Sequence, residues 1–236
     1  MPLHIVCVNF PMSEKQEIVT IDGPSGVGKS TLSRQVAAAL GYTYLDTGAM
    51  YRAVALFFKR QQIDLDDEQA VRFALSALDI QLFPAEKEDG DVGVLVNGQD
   101  ESQAIRTPEL GMLASKVSAI PAVRAQLTAM QQAIGRSGKI VAEGRDTGTV
   151  VFPAAAWKFY LEAEPQERAR RRVAQLRAAG QEVDFEELLK QTLKRDRDDQ
   201  ERTLAPLKKA EDAVIIDTTC LNIQAVCAKI LQIMQD

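Results

Sequence analysis

Residues 23–31 read Gly-Pro-Ser-Gly-Val-Gly-Lys-Ser-Thr, between an apolar run, Glu17-Ile18-Val19-Thr20-Ile21, and an alanine-rich run over 32–40. The spacing G-x-x-x-x-G-K-[ST] is met by Gly23, Gly28, Lys29 and Ser30, and a strand before it with a helix after it is the setting that makes this spacing a phosphate-binding loop. No other feature limits the fold as much, because it fixes a strand end, a turn and a helix start together. Such a loop aims backbone N–H groups and the positive end of a helix dipole at phosphates. Lys29 then reaches the β/γ oxygens and the Ser30 hydroxyl is the candidate Mg²⁺ ligand. A ligand-free glycine-rich turn is the plainer reading, and the lysine and hydroxyl residue directly after the last glycine argue against it. What receives a phosphoryl group, if anything does, the loop alone leaves open.

The rest of the chain alternates short β-rich runs with longer helical ones. Strands are expected at 17–22, near Tyr44-Leu45, and at 139–143, 157–161 and 213–217; helices are expected at 28–40, 48–61, 165–179, 184–202 and 222–234. That order predicts an α/β fold, a three-layer arrangement of a parallel sheet covered by helices on both faces. The rhythm breaks over 78–106, where two apolar runs flank a polar turn at 86–91 and Asn97-Gly98 follows the second. Those are hairpin signals, and they predict a small antiparallel β insert. Pro108 and Pro121 then open two helices, since proline suits the first helical turn.

Four further clusters carry charge. Asp46-Thr47-Gly48-Ala49-Met50-Tyr51-Arg52 follows the second strand, where an open α/β sheet binds its ligands. Arg52 there could fork onto a phosphate and Tyr51 could pack on a sugar or base; an ordinary helix start with a surface arginine is the alternative. Glu143-Gly144-Arg145-Asp146-Thr147-Gly148 again ends a strand, offering one anion contact and one acceptor, or a salt-bridged turn. Arg168, Arg170, Arg171 and Arg172 crowd one helix, with Arg168, Arg171 and Arg172 on a shared face. They repel one another unless an anion gathers them, which suits a lid closing on phosphates; a solvated face is the plainer reading. Arg195, Asp199 and Arg202 fall at i, i+4, i+7, as a two-cation site or as part of an intrahelical charge ladder.

Charge and thiols bound the rest. A net charge of −5 argues against a general nucleic-acid coat or an anionic-membrane binder. Cys7, Cys220 and Cys227 fit no paired metal spacing and leave an odd thiol, so a reduced, cytoplasmic compartment is expected. No apolar run approaches the roughly 18 residues of a membrane span. The sole histidine, His4, lies in a stretch, 1–16, read as a loose extension in which Met12 is an alternative start. Histidine-based chemistry is therefore not expected, whereas phosphoryl transfer, which relies on Lys, Arg and Mg²⁺, is.

Together the loop at 23–31, Asp-Thr-Gly-Ala-Met-Tyr-Arg at 46–52, Ile-Arg-Thr-Pro-Glu at 105–109, Glu-Gly-Arg-Asp-Thr-Gly-Thr-Val-Val-Phe-Pro at 143–153 and Arg-Asp at 195–196 closely resemble the bacterial cytidylate kinases, over nearly the whole chain from Glu17. The resemblance implies one kinase domain over 17–236, with a monophosphate-binding insert at about 47–125 and a lid at about 163–182. It implies ATP with Mg²⁺ on Gly23, Pro24, Ser25, Gly26, Val27, Gly28, Lys29, Ser30 and Thr31, although some members carry glycine where Ser30 stands. CMP or dCMP would meet Thr47, Tyr51, Arg52, Ser115, Arg124, Arg145, Asp146, Asp199 and Arg202, with Asp146, Ser115 and Arg124 reading the base. An acidic acceptor suits cytosine, whose distinguishing donor is its N4 amino group. Lys29, Arg145, Arg168, Arg172 and Arg195 are the implied catalytic set, with Arg171 a further lid arginine, and the segment after Arg195 differs in detail from other members. A monomer acting on small molecules, with no nucleic-acid or membrane partner, is expected. Rival readings are a kinase for UMP or another small acceptor and a nucleotide-binding switch; no Asn-Lys-x-Asp motif supports the latter.

Overall fold

The computed structural model describes residues 16–84, 90–178 and 180–235. The expected extension, with His4, Cys7 and Met12, therefore lies outside the described residues, save that Gln16 already belongs to the first strand; the turn at 86–91 is described only at its end. The chain runs β1 (Gln16–Asp22), α1 (Lys29–Leu40), β2 (Thr43–Asp46), α2 (Thr47–Arg60), α3 (Glu68–Ser76), β3 (Ile80–Phe83), β4 (Gly93–Val96), β5 (Gln99–Asp100), α4 (Pro108–Val117), α5 (Pro121–Gly135), β6 (Ile140–Gly144), β7 (Ala155–Glu162), α6 (Pro165–Ala178), α7 (Phe185–Glu201), β8 (Val214–Asp217) and α8 (Ile223–Gln235).

Five strands form one parallel sheet in the order β2-β6-β1-β7-β8, and β3-β4-β5 form a separate antiparallel sheet, the expected insert. The strands of a parallel sheet are buried on both faces, so they read as continuous apolar runs. In β6, Ile140 and Ala142 join the apolar cluster that holds Met50, Val54 and Leu127, while Val141 joins the one that holds Leu32, Val36 and Ile230. Register sets the functional edge: Asp22 of β1 pairs with Gly144 of β6, and Asp46 of β2 with Glu143. The carboxyl ends of three neighbouring strands thus meet in one line, where ligands of open α/β sheets bind.

Local chemistry fixes the helix starts on that edge. Asp46 caps α2 by accepting the Ala49 amide at 2.8 Å, and Thr107, followed by Pro108, caps α4 by accepting the Leu110 amide at 3.2 Å. The helix α3 was not foreseen; Asp67 caps it and only Val71, Ala74 and Leu75 turn inward. The last arginine of the i, i+4, i+7 set also differs from expectation, because α7 ends at Glu201 and Arg202 is already extended. No described helix is long and apolar enough to cross a membrane.

Candidate active site

The loop between β1 and α1 is built for close approach. Gly23 has φ +151°, and a Cβ there would sit 2.4 Å from the Leu161 carbonyl oxygen, so no side chain fits. Gly28 precedes α1 in a left-handed conformation and no side chain among the described residues caps the helix, which leaves its first amides free for an anion. Lys29 donates to the Pro24 carbonyl at 2.7 Å across the loop. Burial and the Arg145 guanidinium, with Arg195 adding, hold its ammonium well below the ordinary lysine range, against the pull of Glu143 and Asp22. Beneath it, Glu143 accepts the Tyr44 hydroxyl at 2.6 Å through Oε1, while its buried Oε2 has no hydrogen-bond partner among the described residues. Burial and the Asp46 charge push that carboxyl up, and Lys29, Tyr44 and Ser30 oppose them.

In front of the loop lies a cleft of about 360 Å³. Lys29 and the arginines 52, 106, 145, 168, 171, 172 and 195 line it against two carboxylates, Asp46 and Glu143. A chain of net charge −5 therefore concentrates cations on one concave surface. The crowding is felt: burial together with Arg145 and Arg52 lowers the Arg195 guanidinium to about 10 despite Asp199 and Asp196. Cations held this way, out of water and short of counter-charge, make a site for a polyanion.

A second, smaller cavity of about 80 Å³ adjoins the cleft and shares its wall of Arg52, Arg145 and Arg195. Thr47, Tyr51, Ser115, Arg124, Asp146, Asp199 and Arg202 face it, so all nine residues expected to meet the acceptor line one space. Buried Asp146 is ion-paired with buried Arg124, whose guanidinium also donates to the Ser118 carbonyl at 3.1 Å and lies 5.6 Å above the Tyr51 ring. Asp199 is 3% exposed and accepts from Arg145 at 2.8 Å and from Ser115 at 3.1 Å. It is therefore no rung of a charge ladder along α7 but a bridge to the turn after β6 and to α4. Arg202, just past the helix, donates to the Ser118 hydroxyl at 2.7 Å and keeps a buried Nη2 without a partner among the described residues. Thr47 spends its hydroxyl on the Glu143 carbonyl at 2.6 Å, tying α2 to β6. Arg52 donates to the carbonyls of Ile105 and Thr107 at 3.0 and 3.1 Å, which holds its guanidinium between the two cavities.

The arginine-rich helix α6 corrects one expectation. No anion is needed to gather its cations, because carboxylates and carbonyls already do so. Arg168 is 3% exposed; it forks onto Asp196 of α7 and donates to the carbonyls of Ala163 and Ser25, the latter inside the phosphate loop. Arg170 and Arg171 contact Glu167, and Arg171 reaches the Thr218 and Thr219 carbonyls. Arg172, by contrast, lines the cleft and, among the described residues, hydrogen-bonds only Gln175, at 3.3 Å. Three residues went unassigned by sequence reasoning. Arg106 pairs with Asp46 at 3.0 Å inside the cleft, Glu143 underlies Lys29, and Asp22 ends β1. The first two stand within motifs quoted above, so position in a motif was their only signal.

A phosphate cradle between strand and helix, facing an arginine-walled cleft at the carboxyl edge of a parallel sheet, defines a P-loop kinase. The chain belongs to the cytidylate kinase family, whose model, described as "Cytidylate kinase", matches residues 19–236. It is 48% identical to a cytidylate kinase of Syntrophotalea carbinolica over 94% of this chain and 93% of that protein. A cytidylate kinase of Carboxydothermus hydrogenoformans is also 48% identical, over 92% and 96% respectively. Among solved structures, an uncharacterized protein from Eubacterium ventriosum matches with a TM-score of 0.50 at 10% identity, over 94% of this chain and 99% of that one, a likeness of fold alone.

Proposed function

We propose that the protein transfers the γ-phosphoryl group of ATP to CMP or dCMP, giving CDP or dCDP and ADP. The observation that carries this reading is the pair of cavities sharing one arginine wall: a triphosphate cradle on one side and a pocket with a carboxylate, Asp146, on the other. ATP lies on 23–31 with its phosphates in the cleft, and the monophosphate enters the second cavity. Asp146 accepts from the cytosine N4 amino group while Ser115 and Arg124 complete the reading of the base. Arg52 and Arg145 hold the acceptor phosphate, and Tyr51, Asp199 and Arg202 hold the nucleoside. That phosphate is already an oxyanion near neutral pH, so no general base is required; Lys29, Arg145, Arg168, Arg172 and Arg195 suppress repulsion between two anions and stabilise the charge of in-line transfer.

Magnesium fits the residues present. The Ser30 hydroxyl and the Glu143 carboxylate beside it are the hard donors such an ion takes, usually one or two from protein with the rest from water and phosphates. When bound it would neutralise charge between the β- and γ-phosphates. Segment 47–125, which carries the second sheet, serves as the acceptor-binding part, and 163–182 as a lid whose Arg168 already reaches the loop carbonyl of Ser25. The protein works as a cytoplasmic monomer on small molecules.

An acceptor panel tests the reading. In an assay coupled to ADP release, CMP and dCMP should exceed UMP and AMP in kcat/KM by about tenfold or more, as expected when a buried carboxylate must find a donor. Lys29→Ala should remove that turnover while the protein keeps its melting profile. A preference for UMP, or ATP hydrolysis that ignores the acceptor, would refute it.

A further inference from the structure

We propose that Asp22 is a positioning residue that tethers the acceptor-reading turn at 144–148 to the donor loop, and so sets acceptor affinity and base selection. This rests on the functional reading above. Asp22 is the last residue of β1, directly before Gly23, and is 4% exposed. Among the described residues it has no salt bridge, so its burial must be offset in another way. Three hydrogen bonds do this: the Thr147 amide and hydroxyl donate to Oδ1 at 2.9 and 2.7 Å, and the Gly148 amide donates to Oδ2 at 2.8 Å. Both carboxylate oxygens are spent on one turn, 125 residues further along the chain.

The turn is shaped to accept this grip. A Cβ on Gly148 would stand 2.8 Å from the Thr20 hydroxyl and 3.4 Å from Asp22 Oδ2, and one on Gly144 would stand 2.7 Å from the Thr147 methyl and 2.8 Å from the Thr47 hydroxyl. Only glycine at both places lets the backbone fold down over the carboxylate. The near end of the turn is fixed by strand pairing, Asp22 opposite Gly144, and its far end by the three hydrogen bonds. Arg145 and Asp146 are the two residues between these anchors. From there Arg145 reaches Asp199 and Asp146 reaches Arg124, so both project from a span pinned at each end to the residue next to the phosphate loop. Asp22 touches no expected substrate atom; it acts through the pair it holds. A carboxylate is required because two oxygens must both accept, and an asparagine would set its NH₂ against a backbone N–H.

Steady-state kinetics on Asp22→Asn, Thr147→Val and Thr147→Ser test the tether, with wild type as the control that tests the functional reading. If wild type prefers a different monophosphate, that reading falls and the same comparison is made with that acceptor. Asp22→Asn should raise KM for CMP about tenfold or more and narrow the CMP-over-UMP ratio in kcat/KM, the scale of one lost charge-assisted hydrogen bond. Its Kd for ATP, titrated without acceptor, should stay within about twofold of wild type. Thr147→Val, which keeps both backbone donors, should raise KM for CMP by about threefold, and Thr147→Ser should restore it. Unchanged KM for CMP and unchanged base ratio in Asp22→Asn would overturn the proposal, as would an equal loss of ATP affinity. Should Asp22→Asn fail to fold, the threonine pair decides: a rise in Val that Ser restores supports the tether, while no rise in Val, or an equal rise in both, overturns it.

Discussion

Asp199 is the residue on which most of the acceptor cavity converges. Burial pushes its carboxyl up, but Arg145, Arg195 and Arg202 outweigh burial and hold it below the ordinary value of 3.8. A carboxylate with a depressed folded-state pKa contributes stability that is present above the unfolded value and lost as pH falls through the folded one. Acid unfolding of the wild type should therefore steepen below about pH 4, and Asp199→Asn should flatten that limb in a pH series of thermal melts. Such a residue is only half legible in sequence. Its spacing to Arg195 and Arg202 is visible, yet its chief partner, Arg145, is 54 residues away. Lys29, Arg52 and Arg145 were readable because strand ends and glycines mark where they stand. Asp22 was not, because a carboxylate before a phosphate loop declares nothing until the turn it grips is seen.

At the scale of elements, α6 and α7 are joined by Arg168 and Asp196, whose side chains are 3% and 14% exposed. Removing one partner of a buried pair leaves an uncompensated charge, which costs about 3–5 kcal/mol. Asp196→Ala should accordingly lower the urea midpoint with an unchanged m-value, and since Arg168 also donates to Ser25, it should weaken ATP binding as well. Wild-type ATP affinity in that variant would show that the pair serves only packing. Helix and strand placement was largely open to sequence reading, because β1, β6 and β7 each carry a short apolar core and Pro108 and Pro121 mark helix starts. The helix α3 escaped, having three buried positions in nine residues. The two-residue strand β5 escaped because so short a segment has no period to read. The arginine run of α6 suggested a bare cationic face; Glu167, three and four residues before Arg170 and Arg171, answers it within the helix, and only tertiary structure reveals that Asp196 answers Arg168.

Over the whole molecule, sheet order decides which parts depend on which. The phosphate loop hangs from β1, and both strands that flank β1, namely β6 and β7, come from residues 140–162. Strand alternation announced a parallel sheet, but not that its central strand is the first of the described strands to be made. A fragment ending at residue 135 would contain the entire loop and helix α1 and still lack both neighbours of β1; by calorimetric titration it should bind no ATP, whereas binding at the affinity of the full chain would contradict this. The same order has a consequence during synthesis. At roughly 5–20 residues per second, on the order of ten seconds separates the emergence of Ile18 from that of its partner Ile140. Throughout that interval Ile18, Val19 and Ile21 form an unpaired apolar strand, the kind of edge that invites aggregation. The nascent chain therefore exposes the apolar core of β1 well before it can fold, and shielding by chaperones matters most while residues 23–139 are being translated.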